Sequence, residues 1–411
     1  MKKREREGET REETLIENFL NPKTIAVIGA SEKPNKVGTI LMQKLESFKG
    51  MVIPINSSSS TIFSKLSYKE ISDYKDKIDL AIIAIPAEGV PKVLKQCGKK
   101  KIKNVIIISA GFSEIGNIRL QKSIDKIREK YKMRILGPNC FGIVNPKINL
   151  DTTFANSTPK KGNIAFISQS GALWSYIADL NIGFSGFVSL GNMSDLGFNE
   201  FLEYYIQDKS TKKIILYIEK LKEGKKFIEL CKSTKKEIIV IKAGKTYQGN
   251  KAAISHTASL ATDYEIYSKA FLQAGIKQVN TLAEALNLEK QNPEEYLQGK
   301  NVLIITNAGG AGTILTDSLV EKGFKVEGPK DILGTANAND YRNVLSKIEQ
   351  DYNNIIVLLT PQKMSEPTKT AQEVVRSHWK NKIIAVFLGE KSLQEAKRIL
   401  ETNGVRVLTD L

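Results

Sequence analysis

His256 is one of only two histidines in 411 residues. It stands in the run Ala253-Ile254-Ser255-His256-Thr257-Ala258-Ser259. Imidazole titrates near neutrality, so one ring nitrogen can attack an electrophile while an acceptor holds the other. A hydroxyl-flanked histidine in the Gly- and Ala-rich stretch 242–262 reads as a nucleophile on a mobile loop. The plainer reading is a solvated surface histidine, the ordinary condition of a loop histidine. Glu219 is the candidate acceptor. It ends the apolar strand Ile214-Ile215-Leu216-Tyr217-Ile218, and α/β ligands gather at strand carboxyl ends. A carboxylate there would fix the ring tautomer and favour a cationic phosphohistidine. Against this, Glu219 opens the charged run Glu219-Lys220-Leu221-Lys222-Glu223, where an exposed glutamate is the simple alternative.

Three further segments could handle phosphate. Ser168-Gln169-Ser170-Gly171-Ala172 and Asn307-Ala308-Gly309-Gly310-Ala311-Gly312 each follow a buried strand and open a helix. Each presents free N–H groups and the positive end of a helix dipole. Alone, either is ordinary turn chemistry; facing one another, they would suit a doubly charged phosphate. Ile25-Ala26-Val27-Ile28-Gly29-Ala30-Ser31, followed by Gly38, is a strand, a glycine turn and a helix opening. It either brings backbone N–H groups to a phosphate or serves packing alone. A nicotinamide fold usually sets an acid at the end of its second strand for the ribose hydroxyls. Here Pro54-Ile55-Asn56-Ser57-Ser58 has none, which turns the reading from a dehydrogenase toward another phosphorylated nucleotide. Cys140, in Gly137-Pro138-Asn139-Cys140-Phe141-Gly142, has no histidine nearby in sequence and reads as a small, partly buried turn residue rather than a thiol nucleophile.

These residues need a scaffold of buried strands. Continuous apolar runs at Ile25–Ile28, Val52–Ile55, Leu80–Ile85, Val105–Ser109 and Arg134–Leu136 alternate with amphipathic stretches, which predicts a doubly wound α/β sheet. The polar stretch Asn145–Asn163 reads as a linker. A second α/β unit begins at Ile164-Ala165-Phe166-Ile167 and a third at Val302-Leu303-Ile304-Ile305. The openings at 164–171 and 302–312 resemble each other, so two similar modules stand in tandem. The expected layout is a disordered charged tail at 1–14, then domains at 15–147, 160–290 and 300–411.

The net charge is +16, which suits anionic partners such as phosphorylated cofactors, although a lysine-rich proteome explains it as well. No zinc-ligand spacing, RNA-binding aromatic signature or compact basic helix points to nucleic acid. Three distant cysteines argue against a disulfide framework and for a cytoplasmic location. No signal-type segment follows the charged N-terminus, and the apolar runs are strand-length, too short to span a bilayer.

Seven segments, in order, resemble the α subunit of NDP-forming acyl-CoA synthetases, the ADP-forming acetate–CoA ligase family related to succinyl-CoA synthetase. They are Ile25 to Ser31, Ser109-Ala110-Gly111-Phe112-Ser113-Glu114, Leu136 to Gly142, Ile167 to Leu173, Ser255-His256-Thr257, Thr306 to Gly310, and Leu359-Thr360-Pro361-Gln362. The resemblance runs from about Leu15 to the C-terminus. It implies a CoA-binding Rossmann-like domain followed by two flavodoxin-like domains. It implies that acyl-CoA and phosphate give an acyl phosphate, which phosphorylates a histidine, which phosphorylates ADP. By that resemblance His256 is the phosphorylated residue and Glu219 its partner. Ser168, Ser170, Gly171, Ala172, Gly309, Gly310 and Ala311 would form the phosphate cradle. Gly29, Ser31, Lys36, Asn56, Pro86, Ala110, Gly111, Phe112 and Asn139 would contact CoA. No metal site is implied on this chain. ATP or ADP and Mg²⁺ would be bound through a separate ATP-grasp β subunit, in an α2β2 heterotetramer or similar. The alternative is a non-enzymatic CoA- or acyl-CoA-responsive regulator.

Overall fold

The computed structural model describes residues 16–257, 264–289 and 291–410, without the side chains of 254–257. The charged tail expected at 1–14 lies outside the described residues. Three large sheets follow one another along the chain, and a small two-stranded hairpin, Thr61–Ile62 with Lys65–Leu66, stands apart from them. The central strands are buried at every position and almost wholly apolar, as in Leu80–Ile83 and Asn354–Leu359. Such strands need helices over both faces, so a parallel, doubly wound arrangement results. Val90–Lys99 shows how a face is covered: it buries Val90, Leu94 and Cys97 at helical spacing.

The first sheet runs Met51–Ile55, Thr24–Ile28, Leu80–Ile83, Asn104–Ile107, Arg134–Leu136, all parallel. Numbered along the chain, that order is 2-1-3-4-5. The third sheet repeats it with Lys325–Asp331, Asn301–Thr306, Asn354–Leu359, Ile383–Phe387 and Arg406–Leu408. The second repeats it again with Gly183–Ser189, Lys160–Ser168, Lys213–Ile218, Glu237–Lys242 and Lys277–Val279. In this order the chain leaves strands 1 and 3 in opposite directions, and a crevice opens at their carboxyl ends. The three crevices fall at Gly29 and Pro86, at Gln169 and Glu219, and at Asn307 and Gln362.

The stretch 145–163 is not a linker. Ile143–Asn145 and Leu150–Asp151 extend the second sheet as antiparallel strands, and Lys160 already begins another strand. Its polarity misleads because the polar groups are buried with partners. Thr152 Oγ1 accepts from the Ile143 N–H at 2.8 Å, and the Asp151 carboxylate takes the Thr153 N–H at 2.9 Å and Lys44 Nζ at 3.1 Å. Buried polar groups so paired cost little.

Two aspartates fix the units to one another. Asp195 accepts from Arg134 Nε at 3.0 Å and the Ile135 N–H at 2.8 Å, tying the second unit to the first. Buried Asp179 accepts from the Glu390 N–H at 2.9 Å and from the Ser392 N–H and Oγ at 3.0 Å, tying the second to the third. No helix among the described residues is long and apolar enough to cross a membrane.

Candidate active site

The three crevices open into one cavity of about 1490 Å³, larger than a usual single-ligand pocket. At one end are Gly29, Ser31, Lys36, Asn56 and Pro86, with Ala110, Gly111 and Asn139 beside them. At the other are Ser170, Gly171, Ala172 and Gly309. Gly29, Asn56, Ser170 and Gly309 stand just past strand ends, and only the packing of three units brings the two groups to one space.

At the first end, Gly29 adopts φ +91°, and a Cβ at Gly38 would overlap the Gly29 carbonyl oxygen. Strand end and helix start therefore touch, as close backbone approach to a ligand requires. Asn56 spends both ends of its amide on the rim: Nδ2 donates to the Ala30 carbonyl at 2.7 Å, and Oδ1 accepts from the N–H groups of Ser58 and Ser59 at 2.8 and 3.0 Å. The serine run is thus an Asx-type turn. Lys33 and Lys36 stand exposed at the mouth. Phe112, expected as a contact, is a core side chain with no exposure. An aromatic ring is worth more in the core than at a rim, and of this turn it is Ala110 and Gly111, not Phe112, that line the cavity. Glu114, assigned no role from the sequence, accepts from the N–H groups of Gly111 and Phe112 at 2.5 and 3.1 Å and from Asn192 Nδ2 at 2.6 Å.

At the second end, helices Ala172–Asp179 and Gly309–Glu321 begin against one another. A Cβ at Gly310 would overlap Ser170 Oγ and lie 2.5 Å from the Ser170 Cβ. Tyr217, beneath them, donates its hydroxyl to the Gly310 carbonyl at 3.3 Å. Ser168, Gly310 and Ala311 support this junction from behind and do not line the cavity. Ser168 Oγ donates to the Ser170 carbonyl at 2.6 Å.

Glu219 is 3 % exposed, which rules out the solvated reading. Gln169, which lines the cavity, holds the segment by accepting from the N–H groups of Glu219 and Lys220 at 2.7 and 2.8 Å. Next to them lies buried Lys242. Burial pushes its ammonium down to about 8, while Glu219 and Asp317 pull it the other way. Its Nζ donates to the Ala243 carbonyl at 2.6 Å and stands 5.0 Å from the Tyr267 ring centre.

His256 is not on a loop: Tyr247–Thr257 is helical, with 256 in the last turn. The small residues that suggested a loop include Ala252 and Ala253, and alanine is the best helix former. Ala252 lines the cavity, and residue 256 follows it by one turn. The imidazole, and with it any contact to Glu219, lies outside the described residues. The opening of this helix is held by Asp317, which the sequence did not single out. Its carboxylate accepts from the N–H groups of Gly244, Lys245 and Thr246 at 2.9, 2.9 and 2.7 Å and from Thr246 Oγ1 at 2.8 Å. Asp317 belongs to the helix that starts at Gly309, so one element serves both the junction and the histidine helix. Burial raises its pKa against the pull of these donors. Cys140 is a packing residue: burial pushes its thiol up to about 12, and Sγ donates to the Ile107 carbonyl at 3.3 Å.

Residues 23–146 match the family described as a CoA binding domain, and residues 161–290 the family described as a succinyl-CoA ligase like flavodoxin domain. The α subunit of acetate–CoA ligase [ADP-forming] II from Pyrococcus furiosus is 38% identical, over 95% of this chain and 94% of that one. The acetate–CoA ligase [ADP-forming] of Methanocaldococcus jannaschii is 42% identical over 93% of this chain, which spans only 60% of that longer protein. A structure of acetyl-coenzyme A synthetase 1 from Ca. Korarchaeum cryptofilum, in complex with phosphate and ADP, superposes with a TM-score of 0.64 at 32% identity, covering 96% of this chain and 93% of that one. With identity at this level along nearly its whole length, the chain belongs to the family of ADP-forming acetate–CoA ligase α subunits.

Proposed function

We propose that this chain is the α subunit of an ADP-forming acyl-CoA synthetase, which interconverts acyl-CoA, ADP and phosphate with a carboxylic acid, ATP and CoA. The observation that carries this is that one cavity is lined both by the glycine turn at Gly29 and by the paired helix openings at Ser170 and Gly309. CoA enters along Ser31, Lys36 and Pro86, where exposed Lys33 and Lys36 suit its phosphates. Phosphate sits at the two helix starts, where first-turn N–H groups and both dipoles favour an anion. A phosphate oxygen displaces the CoA thiol from the thioester carbonyl, giving an acyl phosphate. Its phosphoryl group passes to His256, and the acid leaves as carboxylate. Glu219 accepts the other ring N–H and offsets the charge that develops on the ring.

In this reading 15–147 is the CoA-binding domain and 160–290 and 300–411 are the flavodoxin-like domains, with strands from 143–151 lending an edge to the second sheet. ADP and Mg²⁺ are held by an ATP-grasp β subunit in a heterotetramer, consistent with the subunit name of the Pyrococcus relative. The acid is small, acetate being the first candidate from the relatives' names. A cytoplasmic setting suits three buried, unbridged cysteines. The family is one of ligases, so the regulator alternative is set aside. The test is reconstitution. Acetyl-CoA, phosphate, ADP and Mg²⁺ yield ATP when this chain is mixed with its ATP-grasp partner, and none with this chain alone. Robust ATP synthesis by the homogeneous chain would overturn the proposed division of labour.

A further inference from the structure

Gln362 lies in the third crevice, a short way past Leu359 at the end of strand 3, where Thr360 holds the place that Glu219 holds in the second. Gln362 is fully buried and lines the cavity. Hydrogen bonds that start from the backbone set its orientation. The Thr360 N–H donates to Asn307 Oδ1 at 2.9 Å, which fixes Asn307 Nδ2 as the opposite end of that amide. Asn307 Nδ2 donates to the Thr360 carbonyl at 3.0 Å and to Gln362 Oε1 at 2.9 Å. Thr360 Oγ1 lies 3.1 Å from the same Oε1. The carbonyl end of Gln362 is therefore committed inward, and Nε2 must be the other end. Nε2 is buried and has no acceptor among the described residues. Beyond it is Gly334, also on the cavity wall. A Cβ there would meet only Nε2 at 3.5 Å and the Asn307 carbonyl at 3.8 Å.

Buried donors in folded proteins are nearly always satisfied, and an exception calls for a cause. A buried amide held rigidly by its oxygen, with its nitrogen turned to a substrate cavity, has the form of a ligand donor. The geometry points to Gln362 as a substrate-binding residue whose Nε2 donates to an oxyanion oxygen, that of the carboxylic acid or of phosphate, lodged between Gly334 and the helix start at Gly309. The inference rests on the ligase reading above. Asn307 and Thr360 act through Gln362 as positioning residues.

Gln362→Glu separates the two ends of the side chain. One carboxylate oxygen can still accept from Asn307 and Thr360, while the other replaces the donor by a negative acceptor. On the complex with the β partner, KM for the oxyanion rises about tenfold or more, since like charges then face each other. KM for CoA stays within about twofold, because CoA enters at the far end. The defect shrinks as pH falls, when the new carboxyl gains a proton that it can donate, a recovery that a merely structural role would not produce. Gly334→Ala keeps Gln362 and places a methyl group at ordinary contact distance from Nε2, in the space assigned to the ligand oxygen; it raises the same KM in a folded protein. Acetate KM rising alone assigns the carboxylate, and phosphate KM rising alone assigns the phosphoryl oxygen. Acetate and phosphate KM unchanged in both variants, with active wild type, overturns the assignment. Wild-type complex that turns over none of these substrates counts against the ligase reading instead.

Discussion

Gly310→Ala slows phosphoenzyme formation by about 100-fold while CoA binding persists. A Cβ at 310 cannot coexist with Ser170 as placed, since it overlaps Oγ and lies 2.5 Å from the serine Cβ. Oγ could rotate away, but Cβ is fixed to the backbone of the opposite helix start. The two helix openings must therefore separate by about an ångström, and displacement of that size at a reacting centre costs about 100-fold. Overpacking of this kind also lowers stability by about 1–3 kcal/mol. The Gly29–Pro86 end belongs to another sheet and keeps its shape. Rapid-quench phosphorylation, calorimetric CoA titration and a thermal melt read the three effects separately. A wild-type rate in the variant would mean that the junction of the helices is not the phosphate site.

Glu219→Gln slows phosphoenzyme formation by about 10–100-fold, the usual loss when an oriented charged partner is removed. The amide can still accept a ring N–H, but it cannot offset the charge that forms as the phosphoryl group transfers. Burial strengthens the expectation, because the interaction is less screened by water than at a surface. The backbone of 219 is held by Gln169 rather than by its own carboxylate, so the substitution leaves the segment in place. It also removes one of the charges that keep Lys242 protonated, so that lysine titrates at lower pH in the variant. A rate within about twofold of wild type would leave Glu219 as a counter-charge to Lys242 alone.

What the sequence could reveal depended on how local the cause was. The glycine turn at Gly29, the helix openings at Gly171 and Gly309 and the alternation of apolar strands are local, and each was legible. The common 2-1-3-4-5 order was not, because strand order is decided by packing. Glu219 was legible as a strand-end acid but not as a buried one: the run 219–223 is charged throughout, yet Lys222 and Glu223 are exposed while Glu219 is not. Phe112 was misjudged because its turn and its ring serve different surfaces. The helical state of His256 was hidden by small residues that suit loops and helices alike. Asp317 carried no signal, and Gln362 stood only as the end of a resembling segment with no role attached, since their partners lie far along the chain, 73 residues away for Asp317 and Gly244 and 55 for Gln362 and Asn307.

The central claim is that the phosphoryl group passes through His256. The direct measurement is to incubate the complex of this chain and its ATP-grasp partner with γ-labelled ATP and Mg²⁺, quench it, and map the label by peptide mass spectrometry. The account predicts one acid-labile, base-stable phosphate on the α chain, on the peptide that contains His256, discharged by acid plus CoA and absent from His256→Ala. Label that persists on the α chain of His256→Ala, or that maps to another residue of the wild-type chain, would contradict it.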